Sequence, residues 1–278
     1  MQTYGDYFDK WIQGIPDEIS FWNKYMKTKG GKAYHKSFEF NTQKNKPFLL
    51  EGDIPNGMSK VKFIDVGSGP FSRCGIKTDK VDLDFTAIDP LADAYGVLKE
   101  KYGLNNGVEV KAGYVETLSD QFDENTFDLV HMSNSLDHCF DAVFALYQLL
   151  YICKVGGKVI LHHHENEAEN ENYQGFHQWN LSLHNDQNSF LIWRKDICFD
   201  ICDMFSEYVD FVLLADQKGG IGPSDWIYNK IVMKKKKEIA IPENNYLYTM
   251  LQRLSMKYVL SMTNNVTKAS FLRCFIDR

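Results

Sequence analysis

Five short apolar runs recur through the middle of this chain: KVKFIDVGSG, DFTAIDP, GVEVKAG, FDLVHMS and GGKVILHHH. Most stop at a glycine, an acid or a small polar residue, and helical stretches separate the later ones. The stretch 140–154 carries Val143, Leu146, Tyr147 and Leu150 on one side. Short apolar strands alternating with helices mean βαβ units and a mostly parallel sheet. Two further runs, VDFVLLADQ and DWIYNKIVMKKK, are joined by KGGIGPS and read as an antiparallel hairpin on the sheet edge. Ahead of this rhythm, Tyr4, Tyr7, Phe8, Trp11, Ile19, Phe21, Trp22 and Tyr25 fall at helical spacing. GIPDE interrupts them, so two short capping helices are expected, with Pro16 in a first turn. Residues 29–58 are polar and rich in Gly and Pro, the mark of a linker. Leu247, Met250, Leu251, Leu254 and Tyr258 predict a C-terminal helix. The expected organisation is a helical cap and linker over 1–58, a catalytic domain over 59–238 with a substrate-side insert at about 165–195, and a helical extension over 239–278.

Composition narrows the partners. A net charge of −6 gives no electrostatic footprint for nucleic acid. The lysines at 234–237 read as a solvated strand end. No window of about 18 apolar residues predicts a membrane span, and MQTYGDYFDKW has neither the basic nor the apolar region of a signal peptide. Of six cysteines none forms a Cys-x-x-Cys pair, and Cys198 and Cys202 read as one face of a helix. Buried thiols in the cytoplasm are the expectation. A small-molecule acceptor and a homodimer are the expected partners.

The first strand ends Asp65-Val66-Gly67-Ser68-Gly69-Pro70, and the second ends in Asp89, 22 residues after Gly67. Glycines there let the backbone turn tightly and approach a ligand. An acid at that spacing can accept hydrogen bonds from both hydroxyls of a ribose. A dinucleotide fold wants a third glycine and a helix whose N-terminus holds a pyrophosphate. Pro70-Phe71-Ser72 stand there instead, and 71–83 is a poor helix, so a pyrophosphate cradle is not expected. Asp65, two residues before the first glycine, suits an ammonium rather than a phosphate.

These residues resemble the class I S-adenosylmethionine-dependent methyltransferases. FIDVGSGP resembles their motif I, FTAIDP their motif II, GYVETLSDQFDENTFDLVHMSNSLDHCFD their central acidic and Leu-x-His run, and LLYICKVGGKVIL their Gly-Gly strand motif. The resemblance covers about 61–165, with compatible strands to about 235. It implies a Rossmann-like, doubly wound α/β fold: a mostly parallel seven-stranded sheet with an antiparallel edge hairpin, here with N-terminal helices added. The cofactor it implies is S-adenosylmethionine. Asp65, Gly67, Ser68 and Gly69 then meet its amino-acid part, Asp89 the ribose, and Pro90 the adenine. Val115 offers its backbone to the adenine, and Ser133 lines the methionine end. Tyr114 replaces the family's adenine-binding acid, a contact left to Glu116 or to backbone. The N-terminal helices and FHQWNLSLHNDQNSFLIW are similar to bacterial methyltransferases that tailor metabolites and surface polysaccharides.

Methyl transfer to an alcohol gains from alignment and from a base near neutral pH, and histidine is the natural one. His138, just past the fourth strand, and His177, in the insert, are the catalytic candidates; each can also be a structural histidine. Asp137 and Asp141 flank His138 and either orient it or start a helix. Trp179 and His163 are candidate substrate contacts, Trp193 reads as core, and His184 has the weakest case. Along a strand His162 and His164 face one way and His163 the other. Soft histidine-rich sites do not suit magnesium, and no metal is expected. The expected activity is methyl transfer to oxygen of a small molecule, such as a sugar, a nucleotide-linked sugar or a phosphorylated metabolite. A nicotinamide-dependent oxidoreductase and a non-catalytic nucleoside-binding module are the rival readings.

Overall fold

The computed structural model describes residues 4–104, 108–184, 188–215 and 226–243. Seven strands form the central sheet: β1 (Lys60–Val66), β2 (Asp82–Asp89), β3 (Val110–Ala112), β4 (Phe127–Ser133), β5 (Cys153–His164), β9 (Val209–Leu214) and β10 (Tyr228–Lys235). Their order is β3-β2-β1-β4-β5-β10-β9. The first five are parallel, and β10 pairs antiparallel with both β5 and β9, which is the expected edge hairpin. The chain winds outward from β1 through β2 and β3, then crosses to β4. The switch point, where an open sheet of this kind holds its ligand, therefore lies between β1 and β4. Helices α3 (Ala92–Lys101) and α4 (Ala142–Ile152) serve the crossovers. Between β1 and β2 there is no helix, as the polar sequence 71–83 predicts.

Strand periodicity sorts the core into two faces. Ile64, Val66, Val130, Met132, Val159 and Leu161 pack on one face with α4. The opposite face holds Val61, Phe63, Leu129, Ile160 and Val232 in a smaller cluster. α4 is apolar nearly all round, so it is buried rather than amphipathic. Asp141 starts it, accepting a hydrogen bond from the Phe144 N–H at 2.9 Å.

The N-terminal region departs from expectation. One continuous helix, α1 (Tyr4–Lys27), runs through Pro16, and α2 (Gly31–Asn41) lies in the stretch read as linker. An internal proline costs about 3 kcal/mol. Against this, burial of Phe8 and Met26 contributes about 1.5–3 kcal/mol each, and Trp11 stacks on Phe176 at 5.0 Å. The packing outweighs the break.

The insert also differs. After α5 (Glu167–Asn170), β6 (Asn180–His184), β7 (Ser189–Arg194) and β8 (Ile197–Asp200) form a second, antiparallel sheet. Its Leu181, Phe190 and Ile192 belong to the same core as α4. The cysteine pair is not on one helix face: Cys198 is exposed on β8 and Cys202 half-buried on α6 (Ile201–Phe205). Asp200 caps α6 and switches the chain from strand to helix. Nor is the lysine run wholly solvated, because Lys235 alternates inward and donates to the Cys153 carbonyl at 2.7 Å. No helix among the described residues is long and apolar enough to cross a membrane. The expected C-terminal helix and the KGGIGPS turn lie outside the described residues.

Candidate active site

A cavity of about 580 Å³ opens at the carboxyl ends of β1, β2 and β4. Its floor is the glycine turn. Gly67 and Gly69 have φ of +64° and +59°, the left-handed region that favours glycine. A Cβ on Gly67 would sit 2.4 Å from Ser135 Oγ. Asp89 closes the turn: its carboxylate accepts the Gly69 N–H and the Leu91 N–H, each at 2.9 Å. Burial, offset only in part by those bonds, raises the Asp89 pKa to about 7.

Of the residues expected at the cofactor, Gly67, Ser68, Gly69, Asp89, Pro90, Tyr114, Val115, Glu116 and Ser133 all line this cavity. Asp65 does not. It is 2% exposed, with its carboxylate turned to Ser72 Oγ and to His131 Nδ1 at 2.7 Å. This follows from register: Asp65, His131 and His162 point to the same face of neighbouring strands, and His131 Nε2 meets His162 Nδ1 at 3.0 Å. Asp65 thus braces the turn from below. Glu116 is likewise committed in part, its Oε1 accepting the Phe140 N–H at 3.0 Å. Burial, again, raises its pKa to about 8. Tyr114 packs its ring 5.4 Å from Trp11.

The other half of the cavity gathers the catalytic candidates. His138 and His177 stand edge to face at 4.6 Å, and both line the wall. Asp137 lies behind them, 1% exposed. Its Oδ2 takes His177 Nδ1 at 2.7 Å and lies 3.5 Å from His138 Nε2. Asp137 therefore orients both rings, whereas Asp141 is a helix cap. Burial pulls the His177 imidazole down, but the hydrogen bond and charge of Asp137 outweigh it and hold the pKa at about 9. Burial, with the neighbouring His177 charge, lowers His138 despite Asp137. At neutral pH the pair is therefore one imidazolium, His177, and one neutral ring, His138. Asp137, His138 and His177 also bring ligand atoms within 4.8 Å of one another, a spacing open to a metal ion.

The two expected substrate contacts stand behind the wall. Trp179 is 2% exposed in the core, its Nε1 donating to the Cys139 carbonyl at 2.9 Å. His163 is 1% exposed on the face opposite His162, and burial takes its pKa down to about 3. Both lie on strands or loops whose inward face is covered, which sequence alone does not reveal. Trp193 is half-buried on β7, bonded to Ser182 Oγ at 2.8 Å, and His184 is at the exposed end of β6.

Several wall residues carried no sequence signal. α1 contributes Trp11, Glu18 and Trp22, the last lying over Gly69. Glu18 Oε1 accepts Trp22 Nε1 at 2.6 Å and the Tyr95 hydroxyl at 3.3 Å. Arg73 follows the glycine turn and donates to the Tyr228 hydroxyl at 3.1 Å. Lys46, from the supposed linker, is 4% exposed and donates to the carbonyls of Phe71 and Ser72, pinning the far end of the turn. Only the aromatic spacing of α1 hinted at any of these.

A doubly wound sheet in this strand order, with a glycine turn and a ribose-spaced acid at its switch point, is that of a class I S-adenosylmethionine-dependent methyltransferase. Residues 64–161 match the family described as a methyltransferase domain, which supports that class for this chain. Its cofactor is S-adenosylmethionine, which the paired glycines and the inward carboxylate of Asp89 fit. Among curated proteins none matches the sequence. Among solved structures the chain is similar to the YcgJ protein of Bacillus subtilis, at 16% identity over 69% of this chain and 97% of that one, with a TM-score of 0.42. It is also similar to geranyl diphosphate C-methyltransferase of Streptomyces coelicolor, solved with Mg²⁺, geranyl diphosphate and S-adenosylhomocysteine, at 9% identity, 67% and 78% coverage and a TM-score of 0.45. A third is the methyltransferase CalH, solved with S-adenosylhomocysteine, at 12% identity, 64% and 52% coverage and a TM-score of 0.43.

Proposed function

We propose that this enzyme methylates a small molecule at an O–H or N–H group held against Asp137, His138 and His177. The observation that carries this is the buried Asp137 carboxylate orienting two imidazoles on the wall of the cavity that also holds the glycine turn. Gly67, Ser68 and Gly69 hold the cofactor's amino-acid part, Asp89 its ribose, and Pro90, Tyr114, Val115 and Glu116 its adenine, with Ser133 at the methionine end. Bound there, S-adenosylmethionine supplies a methyl group activated by its sulfonium. His138, neutral at working pH, accepts the proton that the acceptor loses. His177, charged and paired with Asp137, holds the acceptor in line. Such proton removal is worth about 10²–10⁴ in rate, and alignment contributes separately. We keep with this reading the 59–238 domain bounds, a homodimer and a cytoplasmic location; limited proteolysis, gel filtration and cell fractionation check them.

Calorimetric titration with S-adenosylmethionine and with a nicotinamide nucleotide tests the cofactor half. Heat with the nucleotide and none with S-adenosylmethionine would overturn the reading. With the cofactor saturating, mass spectrometry then detects products heavier by about one methylene, as any methyl transfer requires.

A further inference from the structure

The charges on the cavity wall narrow the acceptor. Six acidic side chains line it, those of Asp17, Glu18, Asp89, Glu116, Glu167 and Glu171, against one guanidinium, Arg73, and burial leaves Glu116, raised to about 8, mostly neutral and Asp89, raised to about 7, half ionised at neutral pH. His177 adds a positive charge, but the Asp137 carboxylate behind it cancels that. Three of the six are engaged: Asp89 and Glu116 by backbone N–H groups, and Glu18 by Trp22 and Tyr95. Glu167 and Glu171 are different. Both belong to the insert, on the same side as His177, and Glu167 Oε2 is buried with no hydrogen-bond partner among the described residues. The same holds for Oδ1 of Asp137, whose side chain is 1% exposed. Burial holds the Glu167 carboxyl well above the usual carboxylate range, so it rests as a neutral acid while the site is empty and ionises against an incoming cation; its unmatched oxygen and that of the Asp137 carboxylate mark a place where a donor or a cation belongs. On the wall of the same cavity Trp11 and Phe176 stack at 5.0 Å with their planes 2° apart. An aromatic face next to carboxylates attracts an ammonium through the ring quadrupole as well as through charge. A low-dielectric cleft lined by one sign of charge concentrates the opposite sign and repels its own.

We infer that the acceptor enters as a cation, a small organic amine whose ammonium is held by Glu167 and Glu171 beside the Trp11–Phe176 stack, and that phosphorylated and carboxylated molecules are refused. This rests on the proposed methyl transfer at the same cavity and names its substrate class. It also removes nucleotide-linked sugars and phosphorylated metabolites from the acceptors that the sequence suggests. Asp137 and Glu167 are positioning and binding groups here, and His138 keeps its role toward the departing proton.

The test uses the full chain saturated with S-adenosylhomocysteine, followed by tryptophan fluorescence and calorimetry. The probes form two matched sets that differ in charge: tyramine, its neutral alcohol and 4-hydroxyphenylacetate; and glucosamine, glucose and glucose 6-phosphate. The expected result is at least tenfold tighter binding of the amine than of its neutral and anionic partners in at least one set. That preference shrinks as salt is raised, and the Glu167→Gln/Glu171→Gln variant loses it while S-adenosylhomocysteine binding stays within about twofold. Equal or reversed preference, or silence of every amine with S-adenosylhomocysteine still bound, overturns the inference and leaves the methyltransferase reading standing. Failure to bind S-adenosylhomocysteine at all would instead strike the underlying reading. A circular-dichroism melt of the double variant separates lost preference from lost fold.

Discussion

The two halves of the cavity are built by different means. In the cofactor half the polar groups are fixed by backbone close by: Asp89 accepts from Leu91, two residues on, and from Gly69, 20 residues back in the turn that follows the neighbouring strand β1. In the acceptor half side chains hold side chains: Asp137 and His177 lie 40 residues apart and meet only because the insert folds back over the end of β4. A site held by backbone tolerates change around it, because the strands that carry it are the sheet itself. A site held by side chains depends on each partner. On the proposed function it is the half where substitution should separate chemistry from binding.

Removing the base should show this most strongly. His138→Ala is expected to lower kcat by about 10²–10⁴, with the S-adenosylmethionine Kd changed less than threefold. Single-turnover rates and calorimetry check the split. A weakened Kd with preserved turnover would move His138 into the cofactor half.

The cofactor half should break through affinity instead. Asp89→Ala loses two hydrogen bonds to the ribose and is expected to weaken S-adenosylmethionine binding by up to roughly 3 kcal/mol. Unchanged affinity would mean that the two halves have been assigned the wrong way round.

The Asp137–His177 pair should make stability depend on pH. The folded-state pKa of His177, about 9, lies above its ordinary value. Its contribution is therefore full below about pH 6.5 and is lost as pH rises through 9, on the order of 3 kcal/mol at most. Glu167 and Glu171 face the same ring and add to its charge preference. Urea denaturation from pH 6 to 10 should show this decline in the native protein and a flatter profile in Asp137→Asn.

The smallest expected effect is again in the cofactor half. Asp89 titrates near 7 because it is buried, with Glu18 and Asp65 adding to the rise. Its ionised form is the better acceptor for ribose hydroxyls, so affinity should fall by up to about tenfold per unit as pH drops below 7. Asp89→Asn should flatten that profile. An equally steep profile in the variant would point to Glu116, which is raised to about 8.

Local signals made the sheet legible. An apolar run of five to seven residues closed by glycine reports a buried parallel strand, since both faces must be covered and the turn must be tight. That determined β1 to β5, the edge hairpin, the glycine turn and Asp89, and with them the class and its cofactor. Wherever the outcome depended on what packs on an element, sequence ran out. Pro16 signalled a break, and the aromatic packing of α1 overrode it. Asp65 sat in the right motif, yet strand register aimed it at His131. His163 and Trp179 were plausible contacts until tertiary packing buried both, Trp179 against residues of the second sheet. Lys46 looked like linker and became the brace beneath the turn. The meeting of His138 with His177 across Asp137 is of the same kind. Its energy comes from burial and from charges brought together in three dimensions, and neither quantity exists until the chain has closed.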